Sequence, residues 1–189
     1  GVQREIPLYA APLATVGKPG TPWVKICDRA DKVTDFAVKG DDIYLLTHAP
    51  SPRYAILRTR LAKPDLKTAS TVVPASDQVL FEIAAARDGL YFEARDGAVK
   101  RLKRLALGAK GATEVKLPLE GAASLMSASP LRDGAIVGLA AWTRAREIYA
   151  VDAAGKAVNT KLQPLGGFDA PEGLVASEVK AKSHDGAMV

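Results

Sequence analysis

Residues 31–74, DKVTDFAVKGDDIYLLTHAPSPRYAILRTRLAKPDLKTASTVVP, decide the fold. They read as four short strands joined by turns. Val33–Val38 ends at the Lys39-Gly40-Asp41-Asp42 turn, and Ile43–Thr47 follows. His48–Arg53 is a loop with two prolines, and Tyr54–Leu61 is a third strand. Ser70–Val73 is a fourth, after the polar stretch Lys63–Thr68. Short β-branched and aromatic runs bounded by Gly, Pro and Asp are strand-and-turn signals. Four strands in about 45 residues is the size of one β-propeller blade.

The rest of the chain repeats this unit. Asp41-Asp42-Ile43-Tyr44-Leu45 recurs as Asp88-Gly89-Leu90-Tyr91-Phe92 and as Asp133-Gly134-Ala135-Ile136-Val137, at spacings of 47 and 45 residues. Pro74, Pro118 and Pro164 close the units at spacings of 44 and 46. Asp-Gly turns alone are common. Two independent markers keeping one period point to three complete blades, 31–74, 79–118 and 122–164.

The second blade has strands at Val79–Ala86 and Leu90–Glu93. Ala98–Leu107 is ambiguous, because Val99, Leu102 and Leu105 also fit one helix face. The repeat frame makes it a strand. The third blade has strands at Ser124–Ala128, Ala135–Leu139, Glu147–Val151 and Ala157–Leu162. Residues 1–28 read as half a blade, with Glu5–Leu13 as its third strand and Trp23–Cys27 as its fourth. The chain thus starts inside a repeat unit and has no initiating Met, as expected of a mature piece or a cut fragment. Residues 164–173 (PLGGFDAPEG) read as a linker. Residues 174–189 read as a new strand and hairpin, in which Val179, Ala181 and Ser183 alternate with Glu178, Lys180 and Lys182. The expected class is all-β: a partial propeller of about three and a half four-stranded blades, plus one further strand.

Composition is that of an ordinary globular chain, 48% apolar and 25% charged. The longest apolar run, Ala135–Trp142, is broken by Gly138 and is too short to span a bilayer. The polar start Gly-Val-Gln-Arg-Glu is not a signal sequence. No membrane partner is expected. Cys27 is the only cysteine, which fits a reducing compartment. A cytoplasmic location is expected, with the periplasm as the alternative. The net charge of +5 arises between Arg95 and Lys110, where six bases meet one acid. A basic run can bind nucleic acid. No aromatic residue interleaves with these bases, so a solvated outer strand is preferred and no nucleic-acid partner is expected.

Catalytic patterns are missing. Gly121-Ala122-Ala123-Ser124 misses the spacing of a nucleophile elbow. Ser183-His184-Asp185 holds the residue types of a triad, but consecutive residues in a strand and turn point in different directions and cannot hydrogen-bond in series. His48, His184 and Cys27 give no metal-ligand spacing, and no phosphate loop is present. Neither a metal nor a cofactor is expected. His48, beside two loop prolines, is expected to be exposed, and Cys27 to be a small buried hydrophobe. Trp142, Thr143, Arg144 and Arg146 join a second strand to a third. They read equally as an interaction spot or as a Trp wedged between blades.

Residues 31–61, Glu147–Asp152 (EIYAVD) and above all Ser177–Val189 (SEVKAKSHDGAMV) resemble the prolyl oligopeptidase family of serine peptidases. The resemblance covers essentially the whole chain. It implies the last three and a half blades of a seven-bladed propeller, then the first strand of a returning α/β-hydrolase domain. In that family the nucleophile, base and orienter belong to the hydrolase domain, so no catalytic residue falls here. The propeller covers the active site and restricts substrates to short peptides, including proline-containing ones. The implied partners are the hydrolase domain and the remaining blades. The loops facing that domain would be Gly1–Glu5, His48–Arg53, Arg95–Ala98 and Trp142–Arg146. Candidate gating residues are therefore Arg4, His48, Arg53, Trp142, Arg144 and Arg146. The family's usual Ser and Pro before EIYAVD are replaced by Trp-Thr-Arg-Ala-Arg. The alternative is a stand-alone binding or scaffold propeller that closes by self-association.

Overall fold

The computed structural model describes residues 3–177 and 179–188. Strands β1 (Leu8–Ala10) and β2 (Val24–Cys27) form a two-stranded antiparallel sheet. Strands β3 (Val33–Lys39), β4 (Asp42–Thr47), β5 (Ala55–Arg60) and β6 (Ser70–Val73) form a four-stranded antiparallel meander. The pattern repeats in β7 (Val79–Ala86), β8 (Gly89–Asp96), β9 (Val99–Ala106) and β10 (Thr113–Glu114). It repeats again in β11 (Ala122–Ala128), β12 (Ala135–Ala141), β13 (Arg144–Val151) and β14 (Ala157–Asn159). The first strands of the three meanders sit side by side, β7 between β3 and β11. This is blade-on-blade propeller packing. Among the described residues, the only helical turns are the 3-10 segments Leu13–Thr15 and Arg29–Asp31.

The core lies between the sheets. Side chains of a strand alternate faces, and the second strands β4 and β8 are buried on both. In β4, Ile43 and Leu45 pack toward the half-blade while Tyr44 and Leu46 pack toward the second blade. In β8, Leu90, Phe92 and Ala94 face the first blade, and Tyr91 faces the third. Full burial of such side chains contributes roughly 1.5–3 kcal/mol each. The near-continuous apolar runs of β4 and β8 therefore follow from having a sheet on either side.

The first strands share a device. Each carries one extra residue against its partner: Thr34 between Val33 and Asp35, Glu82 between Phe81 and Ile83, and Met126 between Leu125 and Ser127. These bulges reset the alternation. Val33 and Ile83 are accordingly buried, while Phe36 and Met126 face solvent.

Several boundaries differ from the sequence reading. Tyr54 precedes β5 instead of opening it; its backbone is left-handed (φ 67°) and its amide closes a turn onto the Ser51 carbonyl. The expected loop Arg95–Ala98 shrinks to Gly97-Ala98, because Gly97 (φ 57°) allows a tight turn. The loop Trp142–Arg146 shrinks to Trp142-Thr143, leaving Arg144 and Arg146 on β13. Strand β14 ends at Asn159, where Lys161 (φ 60°) turns the chain. Ala98–Leu107 is a strand, as the repeat frame required. One parallel pair, Ala122↔Lys100, and the Arg87 amide on the Arg132 carbonyl link the second and third blades through backbone. In the tail, the one pairing among the described residues is Lys182↔Met188, around a turn at 183–186. Among the described residues the expected strand there forms no ladder. Gly1, Val2, Glu178 and Val189, which fall within the expected elements, lie outside the described residues.

Candidate functional site

The blades present two ends. At one lie the turns 39–42, 86–89 and 128–135; at the other lie the loops 48–54, 97–98 and 142–143. The candidate residues belong to the second end, and the structure disperses them. Trp142 stands at a hairpin tip, 83% exposed, and is not wedged between blades. Beside it a cavity of about 590 Å³ is lined by Ala98, Gly121, Ala141, Ala176 and Ser177. Arg144 is tied down by its Nε donating to Glu147 Oε2 at 2.7 Å. Glu147 is buried and also accepts from Asn159 Nδ2 at 2.6 Å. Arg144, then Asn159 and the Tyr149 hydroxyl, hold the Glu147 carboxyl below its ordinary range, against the penalty of burial. Arg146 lays its stem over Gly138, where an added Cβ would lie 2.8 Å from Arg146 Cδ. The two arginines are therefore strand residues with structural contacts, not loop groups.

His48 is part-buried and not simply exposed. Its Nε2 lies 3.0 Å from Glu5 Oε1, and its ring packs against Tyr54 with centroids 5.3 Å apart. This pair joins the half-blade to the first blade. A backbone amide and then His48 lower the Glu5 carboxyl. Arg53 is exposed; its guanidinium donates to the Asp77 carbonyl, and its own carbonyl accepts the Leu80 amide at 3.1 Å.

Arg4 falls in a cavity of about 250 Å³ with Asp35, Tyr54, Phe81 and Glu82. The sequence reading did not single out these four residues. Asp35 Oδ2 accepts the Ile83 amide at 2.9 Å. Glu82, the bulge residue, has a positive φ of 25°. Partial burial, then the nearby Asp35 and Glu93 carboxylates, push its carboxyl up. Phe81 already attracts cations: Arg95 and Lys100 lie 5.2 and 5.4 Å from its ring centre. The available signal was an acid interrupting the apolar strand VLFEIAAA.

The basic segment is met by acids. Lys100 pairs with Glu93, Arg101 with Glu114 and Glu120, and Arg104 with Asp88, at 2.9–3.1 Å. In the tail, Ser183 Oγ lies 3.4 Å from His184 Nδ1, while Asp185 Oδ1 accepts the Ala187 amide at 3.1 Å. Ser183 and His184 touch, but among the described residues no hydrogen bond links His184 to Asp185, so the three form no series. A triad needs the imidazole held between hydroxyl and carboxylate, and Asp185 is engaged by backbone instead. Cys27 is buried, and burial pushes its thiol up.

Residues 7–162 match the family model described as the N-terminal β-propeller domain of prolyl oligopeptidase. The chain belongs to the prolyl oligopeptidase family. No curated protein sequence matches it. Among solved structures, prolyl oligopeptidase B from Galerina marginata aligns with all of this chain and 27% of its own, at 16% identity and a TM-score of 0.75. Oligopeptidase B from Leishmania major aligns with 96% of this chain and 27% of its own, at 14% identity and a TM-score of 0.79. A structure reported for two prolyl endopeptidases aligns with 90% of this chain and 25% of its own, at 24% identity and a TM-score of 0.70. These likenesses concern the fold. The chain spans about a quarter of the length of each of these prolyl oligopeptidase relatives.

Proposed function

We propose that this chain is the propeller segment that covers the active site of a prolyl oligopeptidase-type serine peptidase. It limits substrates to short, proline-containing peptides and performs no chemistry itself. Its partners are the α/β-hydrolase domain and the remaining blades of the parent chain. Arg4, His48, Arg53 and Trp142 rim the face that meets the hydrolase domain; Arg144 and Arg146 support that rim from β13. One observation carries this reading. Ala176 and Ser177, on the way to the C-terminal hairpin, line a cavity with Trp142 and Ala98. The chain thus leaves along the end that bears the loops between second and third strands. The buried, unpaired Cys27 supports a reducing, cytoplasmic compartment. The test compares cleavage of a short proline-containing peptide with that of a long unfolded polypeptide by the full-length protein. Preference for the short substrate is expected, and Trp142→Gly should weaken it. Equal rates on both substrates would overturn the reading.

A second reading, a scaffold propeller closed by self-association, draws on the half-blade. There, among the described residues, β1 pairs only with β2, and Tyr9, Leu13 and Trp23 are exposed. Unpaired edges recruit other chains. Light scattering of this chain across a concentration series separates the two readings. A dimer that persists on dilution favours the second.

A further inference from the structure

The cavity at Arg4 and Glu82 has a composition that the family fold does not require. It opens where the first strands β3 and β7 begin, beside the loop after β4. That is the end bearing the candidate gating residues. Its lining side chains Arg4, Asp35 and Glu82 sum to one negative charge, and two aromatic residues, Tyr54 and Phe81, complete the wall. Asp35 is occupied by the Ile83 amide. Glu82 has no hydrogen-bond or ion-pair partner among the described residues, although the bulge holds it at the cavity in a strained, positive-φ conformation. Phe81 already carries Arg95 and Lys100, so the match is to a small cation held by a charge-assisted hydrogen bond to the unpartnered Glu82 carboxylate.

We propose that this cavity is a subsite for the primary ammonium group of a bound peptide, with Glu82 as its direct partner. The subsite rests on the reading that this end of the blades meets the peptide substrate. The ammonium comes from the peptide's amino terminus or from a lysine side chain, and both make the same contact. Arg4 sets the opposite limit: it disfavours a second cation and leaves room for only one.

A nitrogen–proton NMR titration of this chain tests the proposal, following the amides of Phe81 and Glu82. The probes are Ala-Pro-Gly-Ala amide, its N-acetyl form, and an N-acetyl form with Lys in place of the first Ala. Tighter binding of the free amine than of the acetyl form, by about tenfold, is the loss expected for one charge-assisted hydrogen bond. Recovery by the lysine peptide assigns the ammonium to either source; no recovery assigns it to the terminus. Glu82→Gln should erase the difference between free and acetylated peptides. Glu82→Gly should do the same while relieving the positive φ, so loss of folding cannot mimic the result. Arg4→Ala should tighten the free amine. Weaker binding in Arg4→Ala would mean that the cavity reads a carboxylate, and would overturn the proposal. Equal binding of free and acetylated peptides overturns the subsite but leaves the peptide-facing end intact. No binding of any probe overturns both.

Discussion

The carboxylate of Asp88 accepts the backbone amide of Gly134 at 2.8 Å, although the two residues are 46 positions apart. Each belongs to the turn that marks its repeat. The same carboxylate takes the Tyr91 hydroxyl at 2.8 Å and Arg104 at 3.0 Å. Beside it, Arg87 donates from Nε to Asp133 Oδ1 at 2.8 Å. The turn of one blade is thus fastened to the turn of the next by side chains as well as by the sheets' apolar faces.

Asp88→Asn should cost about 1–3 kcal/mol, read by chemical denaturation at neutral pH. Burial opposes the charge, but the Gly134 amide, the Tyr91 hydroxyl and Arg104 together hold the Asp88 carboxyl below its ordinary value. A lowered native pKa gives stability that is complete above the unfolded value of about 3.9 and fades as pH falls through the native one. The acid limb of the stability curve should therefore be shallower in Asp88→Asn. In the same contact, burial and Asp88 push the Tyr91 phenol up to about 12. Its ultraviolet titration should move down once Asp88 is neutralised.

Glu93 is 1% exposed, accepts the Leu125 amide at 2.7 Å and receives Lys100 at 3.0 Å. Glu93→Ala strands the amide at the seam between the second and third blades. A loss of about 1–3 kcal/mol is expected for the unmet donor alone. Glu93→Gln keeps an acceptor and should recover part of it. Equal denaturation midpoints for the two variants would show that the amide does not depend on this side chain.

Two glycines make a controlled comparison. Gly134 (φ 82°) and Gly155 (φ 80°) share a backbone conformation that favours glycine. A Cβ at Gly155 meets nothing within 4 Å, whereas one at Gly134 would run into the Val151 carbonyl oxygen. Gly155→Ala should cost about 1–2 kcal/mol, the left-handed penalty alone. Gly134→Ala should cost clearly more, because backbone must move. Thermal melts of the pair would show the order.

This chain alone should not hydrolyse proline-specific chromogenic peptides, and Ser183→Ala should change nothing. In the tail Ser183 touches His184, but among the described residues no acid hydrogen-bonds that imidazole to orient it. Turnover by purified chain that disappears in Ser183→Ala would refute this.

The blades were legible because their turn markers and closing prolines keep one period. The ambiguity at Ala98–Leu107 has a physical source. Leu102 and Leu105 are both buried but belong to different interfaces, one on each side of β9. In a strand, a spacing of three places residues on opposite faces, and a strand buried on both sides imitates a helical stripe. The site was less legible because its contacts cross blades. Glu5 and His48 meet over 43 positions, and Asp35 reaches an amide 48 positions on. Arg144 and Arg146 read as loop residues because hairpin length is not encoded in charge. Glu82 was hidden by its bulge, which single-strand alternation does not foresee.

Beyond chemistry, the seams have a mechanical consequence. Within a blade, strands are joined by ladders; between the second and third blades the described backbone links are few, the Ala122↔Lys100 pair and the Arg87 amide on the Arg132 carbonyl. Stretched between its two ends, the chain should yield at the seams before the ladders shear. Apolar faces would peel apart under low force, and each freed meander would then unravel separately. A sawtooth of successive extensions, not one rupture, is the signature of a body whose rigidity resides in its blades and whose pliancy resides between them.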